Sequence, residues 1–326
     1  MLETIGQYRI LDRIGAGGVG ELYRARDTRH GRTVALRVVR QDLVEDSQRL
    51  ARFLEDARKS ATLSHPSIAT VFETGEDQGR LFLASEYVPG QTLRGAIGGH
   101  AINPRRAVAF AAQIADALAE AHFAGIFHGD LRPDNVIVTP KGNAKVIDIG
   151  LAAWTAGGAA RARAGRATTA TALQDGVIAR TAPYMSPEQA LGEAVDYRTD
   201  IFSLGVVLFE MLTGRVPFLA SAATEVTEEA VHGPLAAPTT LNKSLPPEVD
   251  AIVERMLAKS PADRYQSAET AAADLRSVGS ALDARGPALS PATIRAPKRS
   301  SSTMGWIAAA AILAALAALI WFATQV

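Results

Sequence analysis

The stretch from Phe127 to Gly150, FHGDLRPDNVIVTPKGNAKVIDIG, constrains the fold of this chain more than any other. Two short apolar runs within it, Val136–Val138 and Val146–Ile147, have the β-branched residues typical of small strands. A glycine-containing turn between them predicts a hairpin. Such a hairpin would bring Asn135, just before the first strand, close to Asp148, just after the second.

The side chains at the ends of this hairpin suit a hard metal ion. A carboxylate and an amide oxygen held together are good ligands for Mg²⁺, which takes few protein ligands and completes its shell with water and phosphate oxygens. The sequence therefore predicts Asn135 and Asp148 as the metal ligands. Asp130 stands on the same loop as Asn135, where it is placed to orient a hydroxyl group.

The motif HGDLRPDN resembles the catalytic loop H-R-D-L-x-x-x-N of protein kinases, and the DIG that begins at Asp148 resembles their D-F-G. The resemblance extends from about Tyr8 to about Leu282, and the pattern is that of bacterial eukaryotic-like serine/threonine kinases. It implies an α+β, two-lobed protein kinase-like fold, with a small β-rich N-lobe and a larger helical C-lobe. It also implies that Asp130 accepts or orients the proton of the substrate hydroxyl, and that Arg132 keeps a positive charge near the transferred phosphate.

A glycine-rich loop lies between two predicted strands near the N-terminus, Tyr8–Ile14 and Glu21–Ala25. A G-x-G-x-x-G pattern alone is weak evidence, and a plain glycine-rich hairpin is the alternative. A strand after the glycines, where a dinucleotide-binding unit has a helix, matches the kinase loop whose backbone covers the ATP phosphates. The glycines assigned to this role are Gly15, Gly17 and Gly20.

The third predicted strand, Thr33–Val39, resembles the kinase strand V-A-I-K but carries Arg37 in place of the lysine. In the family this lysine pairs with ATP phosphates and with a glutamate on the next helix, a position that falls here at Asp56. A guanidinium can hold a carboxylate with two nitrogens, although arginine and lysine are not interchangeable at a tight site. A surface arginine is the alternative. Lys59, on the helix, is the only lysine of the N-lobe sequence.

The stretch Glu86–Gly90, which follows two more predicted strands, Ile68–Glu73 and Arg80–Glu86, resembles the kinase hinge. The resemblance implies that backbone groups of Glu86 and Val88 meet the adenine edge. The base would lie between apolar side chains that also suit an ordinary core, namely Ile14, Leu22, Ala35, Ile137 and Ile147.

The second half of the sequence predicts helices. Asn103 followed by Pro104 is a strong start signal for a buried helix that extends to Gly125. The kinase resemblance further implies that Asp200 braces the catalytic loop and that Glu188 pairs with Arg264. In between, residues 151–182 are rich in Ala, Gly, Arg and Thr and are interpreted as the activation segment.

Composition limits the other classes of function. The chain has 326 residues, a formal net charge of zero and no cysteine, so it has no disulfide framework and no thiolate metal site. The charge balance argues against binding to nucleic acid. Arginine outnumbers lysine 28 to 6, so an arginine in a lysine position is weak evidence for lost function.

The C-terminal residues predict a membrane anchor. Residues 304–323 are uncharged and mostly apolar, with Trp306 and Trp321 near their ends, as in a transmembrane helix. Basic residues precede this span and no charged residue follows it, which predicts a single-pass protein of the bacterial inner membrane with its kinase domain in the cytoplasm. The predicted domains are a kinase-like domain (1–282, with N-lobe 1–85, hinge 86–90 and C-lobe 91–282), a juxtamembrane linker (283–303), the span (304–323) and a short extracytoplasmic tail (324–326).

Two classes of function follow from this interpretation. A membrane-anchored serine/threonine kinase would transfer the γ-phosphate of ATP to a protein hydroxyl, with ATP and Mg²⁺ as cofactors and a protein substrate or signalling partner. A pseudokinase scaffold would bind nucleotide or partner proteins without efficient transfer. Arg37, Asp56 and Gly129, which replaces the arginine of H-R-D, favour the scaffold, whereas the intact acidic and amide positions favour the kinase. The sequence predicts the kinase, with reduced or absent activity as the alternative, and leaves a homodimer open.

Overall fold

The structure, a computed structural model, describes residues 4–16, 19–41, 47–151, 181–218 and 223–284. Residue contacts divide the chain into two compact units, Met1–Leu289 and Ser290–Val326, and the described residues all belong to the first. Gly17, most of the predicted activation segment and the predicted membrane span lie outside the described residues. None of the helices in the described part combines the length and apolar character needed to cross a membrane.

The N-terminal lobe is built on a six-stranded antiparallel sheet with the strand order β1-β2-β3-β4-β6-β5. Its strands are β1 (Thr4–Ile5), β2 (Tyr8–Ala16), β3 (Gly20–Asp27), β4 (Arg32–Val39), β5 (Val71–Asp77) and β6 (Arg80–Glu86). Helix α1 (Ser47–Ser60) connects β4 to β5. This β-rich lobe agrees with the expected architecture.

Strand β4 shows how the sheet directs its side chains. Side chains alternate between the two faces of a strand, so Val34 and Leu36 pack on one face with Tyr8 and Phe82. Val39 lies on the other face, in a cluster that includes Phe53 of helix α1. The same alternation places Arg37 on the helix-covered face.

The strand predicted for Ile68–Glu73 begins only at Val71. Ile68 instead forms a parallel bridge with Val146, and the N–H of Ala69 donates to the carbonyl of Val146 at 2.8 Å. An apolar run indicates an extended chain but cannot specify its pairing partner. Here the run divides its hydrogen bonds between the two lobes.

The C-terminal lobe is helical around a buried central helix. Its helices are α2 (Leu93–Ile97), α3 (Pro104–Phe123), α4 (Pro187–Leu191), α5 (Arg198–Thr213), α6 (Ala223–His232), α7 (Pro238–Leu241), α8 (Glu248–Met256) and α9 (Ala268–Ala284). Nearly every residue of α5 is buried, and α3 packs against both α5 and α9. The Asn103 side chain caps α3 by accepting from the N–H of Arg105 at 3.1 Å, as the start signal predicted.

A small three-stranded sheet carries the predicted hairpin. It consists of β7 (Gln91–Thr92), β8 (Val136–Val138) and β9 (Ala144–Val146), in that order. Strands β8 and β9 are antiparallel, with Val136 opposite Val146. The two ends of the hairpin therefore lie together, as the sequence predicted.

Candidate active site

Asp200, in the first turn of α5, holds the backbone of the loop that precedes Asp130. Its two carboxylate oxygens accept the N–H groups of His128 and Gly129, each at 2.7 Å. The Nε2 atom of His122 lies 2.8 Å from the same carboxylate and donates to it. Burial alone would raise the pKa of Asp200, but the His122 hydrogen bond and the Gly129 N–H outweigh it and hold the pKa below its usual range. Asp200 is thus an ionised, fully satisfied brace for the loop.

Gly129 adopts a left-handed backbone with φ of 72°. Its N–H is held by Asp200, and its carbonyl oxygen accepts from Nε2 of Gln189 at 3.0 Å. Side-chain-bearing residues rarely adopt this conformation, because their Cβ crowds the backbone. The glycine therefore fits a strained turn that is fixed from both sides.

His128 is fully buried and links the loop to the strand end before Asp148. Its Nδ1 accepts the N–H of Asp130 at 3.3 Å, and its Nε2 lies 3.2 Å from the carbonyl of Ile147. These contacts are satisfied by a neutral ring with its proton on Nε2. His128 therefore acts as a support inside the fold.

Asn135 and Asp148 are joined through the backbone of the hairpin. The Nδ2 group of Asn135 donates to the carbonyl of Asp130 at 2.8 Å, which directs the amide oxygen away from that bond. The carbonyl of Asn135 accepts the N–H of Ile147 at 3.0 Å. Asp148 follows with φ of 61°, and its side chain is 27% exposed. The predicted ligand positions are brought together.

Arg37 forms its ion pair with Asp148, where the sequence led us to expect Asp56. Its Nη2 lies 2.5 Å from Oδ2 of Asp148, and the arginine is 7% exposed. The Nε atom is buried without a hydrogen-bond partner. Arg37 and Asp148 are 111 positions apart, so only the docking of the two lobes brings them into contact.

Helix α1 contacts the segment after Asp148 through Ser60. The Ser60 hydroxyl lies within hydrogen-bonding distance of two carbonyls, those of Ile149 at 3.0 Å and of Asp56 at 2.9 Å. A Cβ at Gly150 would come within 2.5 Å of the same hydroxyl. This glycine lets the DIG segment pass close to the helix.

Arg132, the residue that the resemblance assigns to charge near the transferred phosphate, lies beside Asp130. Its Nε is 3.6 Å from Oδ2 of Asp130, and its Nη1 is 3.5 Å from Oδ2 of Asp134. Both distances exceed a normal hydrogen bond, so the contact is electrostatic. The arrangement keeps one cation and two carboxylates at the end of the loop.

Most of the predicted apolar and glycine contacts of the nucleotide lie on strands β2, β3, β4 and β8, and Ile147 directly follows β9. Ile14 is 42% exposed, and the other apolar candidates, Leu22, Ala35, Ile137 and Ile147, are half-buried. Gly15 lies opposite Leu22 in the β2–β3 pairing. Gly20 has φ of 154°, and a Cβ there would overlap the carbonyl oxygen of Val38, so this glycine is also required by the sheet.

The hinge residue Glu86 is fixed by the C-terminal lobe. Both its carboxylate oxygens accept from Nζ of Lys145, at 2.5 and 2.6 Å, and one of them accepts the N–H of Thr70 at 3.3 Å. Val88, the other hinge position, is half-buried. These contacts hold the start of the hinge in one orientation.

Glu188 and Arg264 form the bidentate pair that the resemblance implied. Nη1 and Nη2 of Arg264 each donate to one carboxylate oxygen of Glu188 at 2.7 Å, and the Thr199 hydroxyl donates to Oε1 at 2.8 Å. Burial would raise the pKa of Glu188, but the arginine outweighs it and lowers that pKa. This pair fixes α4 against the end of the lobe.

Comparison with known proteins agrees with this geometry. The protein kinase domain model matches residues 8–275. The chain belongs to the protein kinase family. A probable serine/threonine-protein kinase of Streptomyces coelicolor, SCO3848, is 40% identical over 83% of this chain and 39% of its own length. The PknB kinase of Mycolicibacterium smegmatis is 40% identical over 85% and 44% of the two chains, and PrkC of Bacillus subtilis is 34% identical over 83% and 40%.

These relatives place the kinase in the bacterial eukaryotic-like serine/threonine group, as the sequence indicated. The chain spans about two fifths of the length of the curated relatives named above. Among solved structures, the PknI kinase domain of Mycobacterium tuberculosis matches with a TM-score of 0.65 and 23% identity, over 85% of this chain and 99% of that one. That similarity supports the two-lobed kinase fold.

Sequence reasoning missed four supporting residues of the kinase site, namely Ser60, His122, Lys145 and Gln189. Each acts through a hydrogen bond or ion pair to a residue distant in sequence: Ser60 to Ile149, His122 to Asp200, Lys145 to Glu86 and Gln189 to Gly129. None has a local pattern that separates it from an ordinary polar residue. The one available signal was the bracing role that the resemblance implies for Asp200, since a carboxylate in that role needs hydrogen-bond donors around it.

Proposed function

We propose that this chain is a membrane-anchored serine/threonine protein kinase that transfers the γ-phosphate of ATP to a hydroxyl group of a protein substrate. One observation carries the proposal. Asn135 bonds to the backbone of Asp130 and, through Ile147, to the segment that ends in Asp148. The three residues expected to orient the hydroxyl and hold the metal therefore belong to one hydrogen-bonded unit.

The donor set at this unit fits Mg²⁺ bound together with a nucleotide. Asn135 offers an amide oxygen and Asp148 a carboxylate, a small set of hard oxygen ligands suited to an ion that keeps several water or phosphate ligands. In the described ranges no group of three or more His, Cys, Asp or Glu residues could hold a metal by itself. When bound, Mg²⁺ would offset charge on the phosphoryl group during transfer.

The roles of the remaining residues follow from their positions. Asp130 would accept or orient the proton of the substrate hydroxyl, and Arg132 would stabilise negative charge on the phosphoryl group. We assign nucleotide contacts to Ile14, Gly15, Gly17, Gly20, Leu22, Ala35, Arg37, Glu86, Val88 and Ile137. Asp56, assigned to this set by the resemblance, lies on α1, where its backbone carbonyl accepts from the Ser60 hydroxyl.

A pseudokinase scaffold is the second candidate, and one observation favours it. Nη2 of Arg37 lies 2.5 Å from Oδ2 of Asp148, whereas an active kinase needs this carboxylate to bind the metal ion. A scaffold of this kind would bind nucleotide or a partner protein without efficient transfer. Gly129 supports the same reading, since it offers no side chain for a phosphorylated activation segment.

The test is phosphate incorporation into a generic protein acceptor with labelled ATP and Mg²⁺. We expect wild type to label the acceptor on serine or threonine, and Asp130→Asn to lower the rate by about 10²- to 10⁴-fold, the usual contribution of a positioned acid or base. Asp116→Asn on α3 is the control for the same chemical change at a surface ion pair. Equal rates for wild type and Asp130→Asn would overturn the kinase proposal and leave the scaffold.

A further inference from the structure

We propose that Arg37 serves as a built-in cation on the metal-binding carboxylate Asp148, so that the site takes up Mg²⁺ efficiently only together with a nucleotide. The inference rests on the proposed Mg-ATP site and adds the order in which its ligands can enter. It concerns a departure from the kinase motifs whose side chain forms an ion pair with a predicted metal ligand.

Before any ligand binds, Arg37 already occupies one of the two carboxylate oxygens of Asp148. Nη2 of Arg37 lies 2.5 Å from Oδ2 of Asp148, the distance of a strong charge-assisted hydrogen bond. Arg37 is 7% exposed, whereas the Asp148 side chain is 27% exposed. The arginine therefore approaches from the protein side, and the carboxylate keeps an open side toward the cleft.

A metal ion that enters alone meets an electrostatic obstacle. It would share Asp148 with a guanidinium, so two cations would compete for one carboxylate and repel each other at short range. If the arginine released Asp148, its buried charge would lose the only ion-pair partner that the described residues give it. Leaving a buried charge without its partner is costly.

A nucleotide removes this obstacle because its phosphates are anions. Arg37 lies on β4 opposite Leu22 of β3, the strand that follows the glycine-rich stretch expected to cover the phosphates. Its Nε is a buried donor without an acceptor, and a guanidinium matches phosphate oxygens with two donors. The phosphate oxygens can thus accept hydrogen bonds from the guanidinium of Arg37 while Mg²⁺ binds the carboxylate of Asp148. The two ligands then favour each other by the same factor.

No lysine can take over this role in the N-lobe. Lys59, its only lysine, pairs with Glu55 on the exposed side of α1 at 2.7 Å. The charge that responds to the nucleotide is consequently that of Arg37.

The experiment measures the binding of Mn²⁺, a paramagnetic substitute for Mg²⁺, by electron paramagnetic resonance. The full-length protein is titrated without nucleotide and with a non-hydrolysable ATP analogue. The variants are Arg37→Gln and Arg37→Met, two uncharged replacements of which the second suits a buried position. Arg26→Gln is the control, since it removes the same charge from an exposed position of β3, and Asp148→Asn removes the carboxylate.

We expect the uncharged Arg37 variants to bind Mn²⁺ alone about tenfold more tightly than wild type, and to show a correspondingly smaller effect of nucleotide on metal affinity. Arg26→Gln should stay within about twofold of wild type, and Asp148→Asn should bind metal weakly in both conditions. Metal-alone affinities that are equal in wild type and in whichever Arg37 variants fold would overturn the inference while leaving the proposed function intact. If no protein in the series binds metal and nucleotide together, the proposed function fails.

Discussion

At the scale of single residues, Gly129 shows how a change in a motif can serve the backbone. The position has φ of 72°, its N–H is bound by Asp200, and its carbonyl is bound by Gln189. Because Asp200 and Gln189 are both buried, the turn at Gly129 cannot relax when a side chain is added. A residue other than glycine would keep the left-handed conformation at a cost of about 1–2 kcal/mol.

This reasoning predicts opposite effects for two glycine substitutions. Gly129→Ala should lower the free energy of unfolding by about 1–2 kcal/mol. Gly279→Ala should raise it by about 0.5–1 kcal/mol, because Gly279 lies inside α9 and its added Cβ would only touch Val108 at 3.7 Å. Denaturant unfolding of the two variants beside wild type checks both signs. Equal shifts in the same direction would show that the backbone of Gly129 is not strained.

At the scale of elements, helix α5 fixes the catalytic loop through its first turn. Asp200 accepts two backbone N–H groups and the His122 ring on one buried carboxylate. The Glu188–Arg264 ion pair holds α4 in place, and Gln189 of α4 donates to the carbonyl of Gly129 in the loop. The elements around the site are thus held by buried carboxylates that are each fully paired.

The Asp200 brace predicts a stability difference that depends on pH. At pH 7, Asp200→Asn should destabilise the domain by about 3 kcal/mol, because an amide presents one oxygen and a hydrogen-bond donor to groups that all donate. The folded pKa of Asp200 is lowered, so the stabilisation by the carboxylate is present above its unfolded pKa of about 3.9 and is lost as the pH falls through the folded value.

The check is denaturant unfolding of wild type and Asp200→Asn at pH values from 7 down to 3. The difference in unfolding free energy should be constant near neutrality and should shrink below about pH 4. Asp12→Asn, at an exposed ion pair with Arg24, is the control and should change stability by less than about 1 kcal/mol. A difference that does not change with pH would show that the charge of Asp200 is not the source of its effect.

At the scale of the whole molecule, several contacts among the described residues tie the two lobes around the cleft. Lys145 binds Glu86 at the hinge, the N–H of Ala69 binds the carbonyl of Val146, and the Ser60 hydroxyl reaches Ile149. Together with the Arg37–Asp148 ion pair, these contacts connect β4, α1 and the hinge to the segment that carries Asp148. The proposed metal ligand Asp148 is therefore reached directly from the N-lobe.

The membrane anchor is tested on the full chain. We expect the protein to sediment with membranes and to resist alkaline carbonate extraction, because residues 304–323 provide about 20 apolar positions, enough for one span. A chain that ends at residue 303 should be released into the soluble fraction while it still unfolds cooperatively. Full-length protein that is extracted by carbonate would contradict the anchor and the predicted boundaries 283–303, 304–323 and 324–326.

Local sequence patterns were sufficient for much of this protein. Turn chemistry and β-branched runs predicted the hairpin that joins Asn135 to Asp148, and the Asn103 cap predicted the start of α3. These features are set by neighbours along the chain, through side-chain hydrogen bonds and backbone preferences. The motif spacing likewise placed Asp130 and the brace at Asp200, because the family resemblance fixes which positions meet.

Only the tertiary structure decided which partners the long-range groups take. The sequence suggested that Arg37 pairs with Asp56, and the fold places it on Asp148. The sequence also gave no sign that Ile68 would bridge to Val146 of the other lobe. A charged or extended segment has several acceptable partners by chemistry alone, and the choice among them depends on how the lobes pack. That packing is a property of the whole chain, since it balances the burial of many side chains at once.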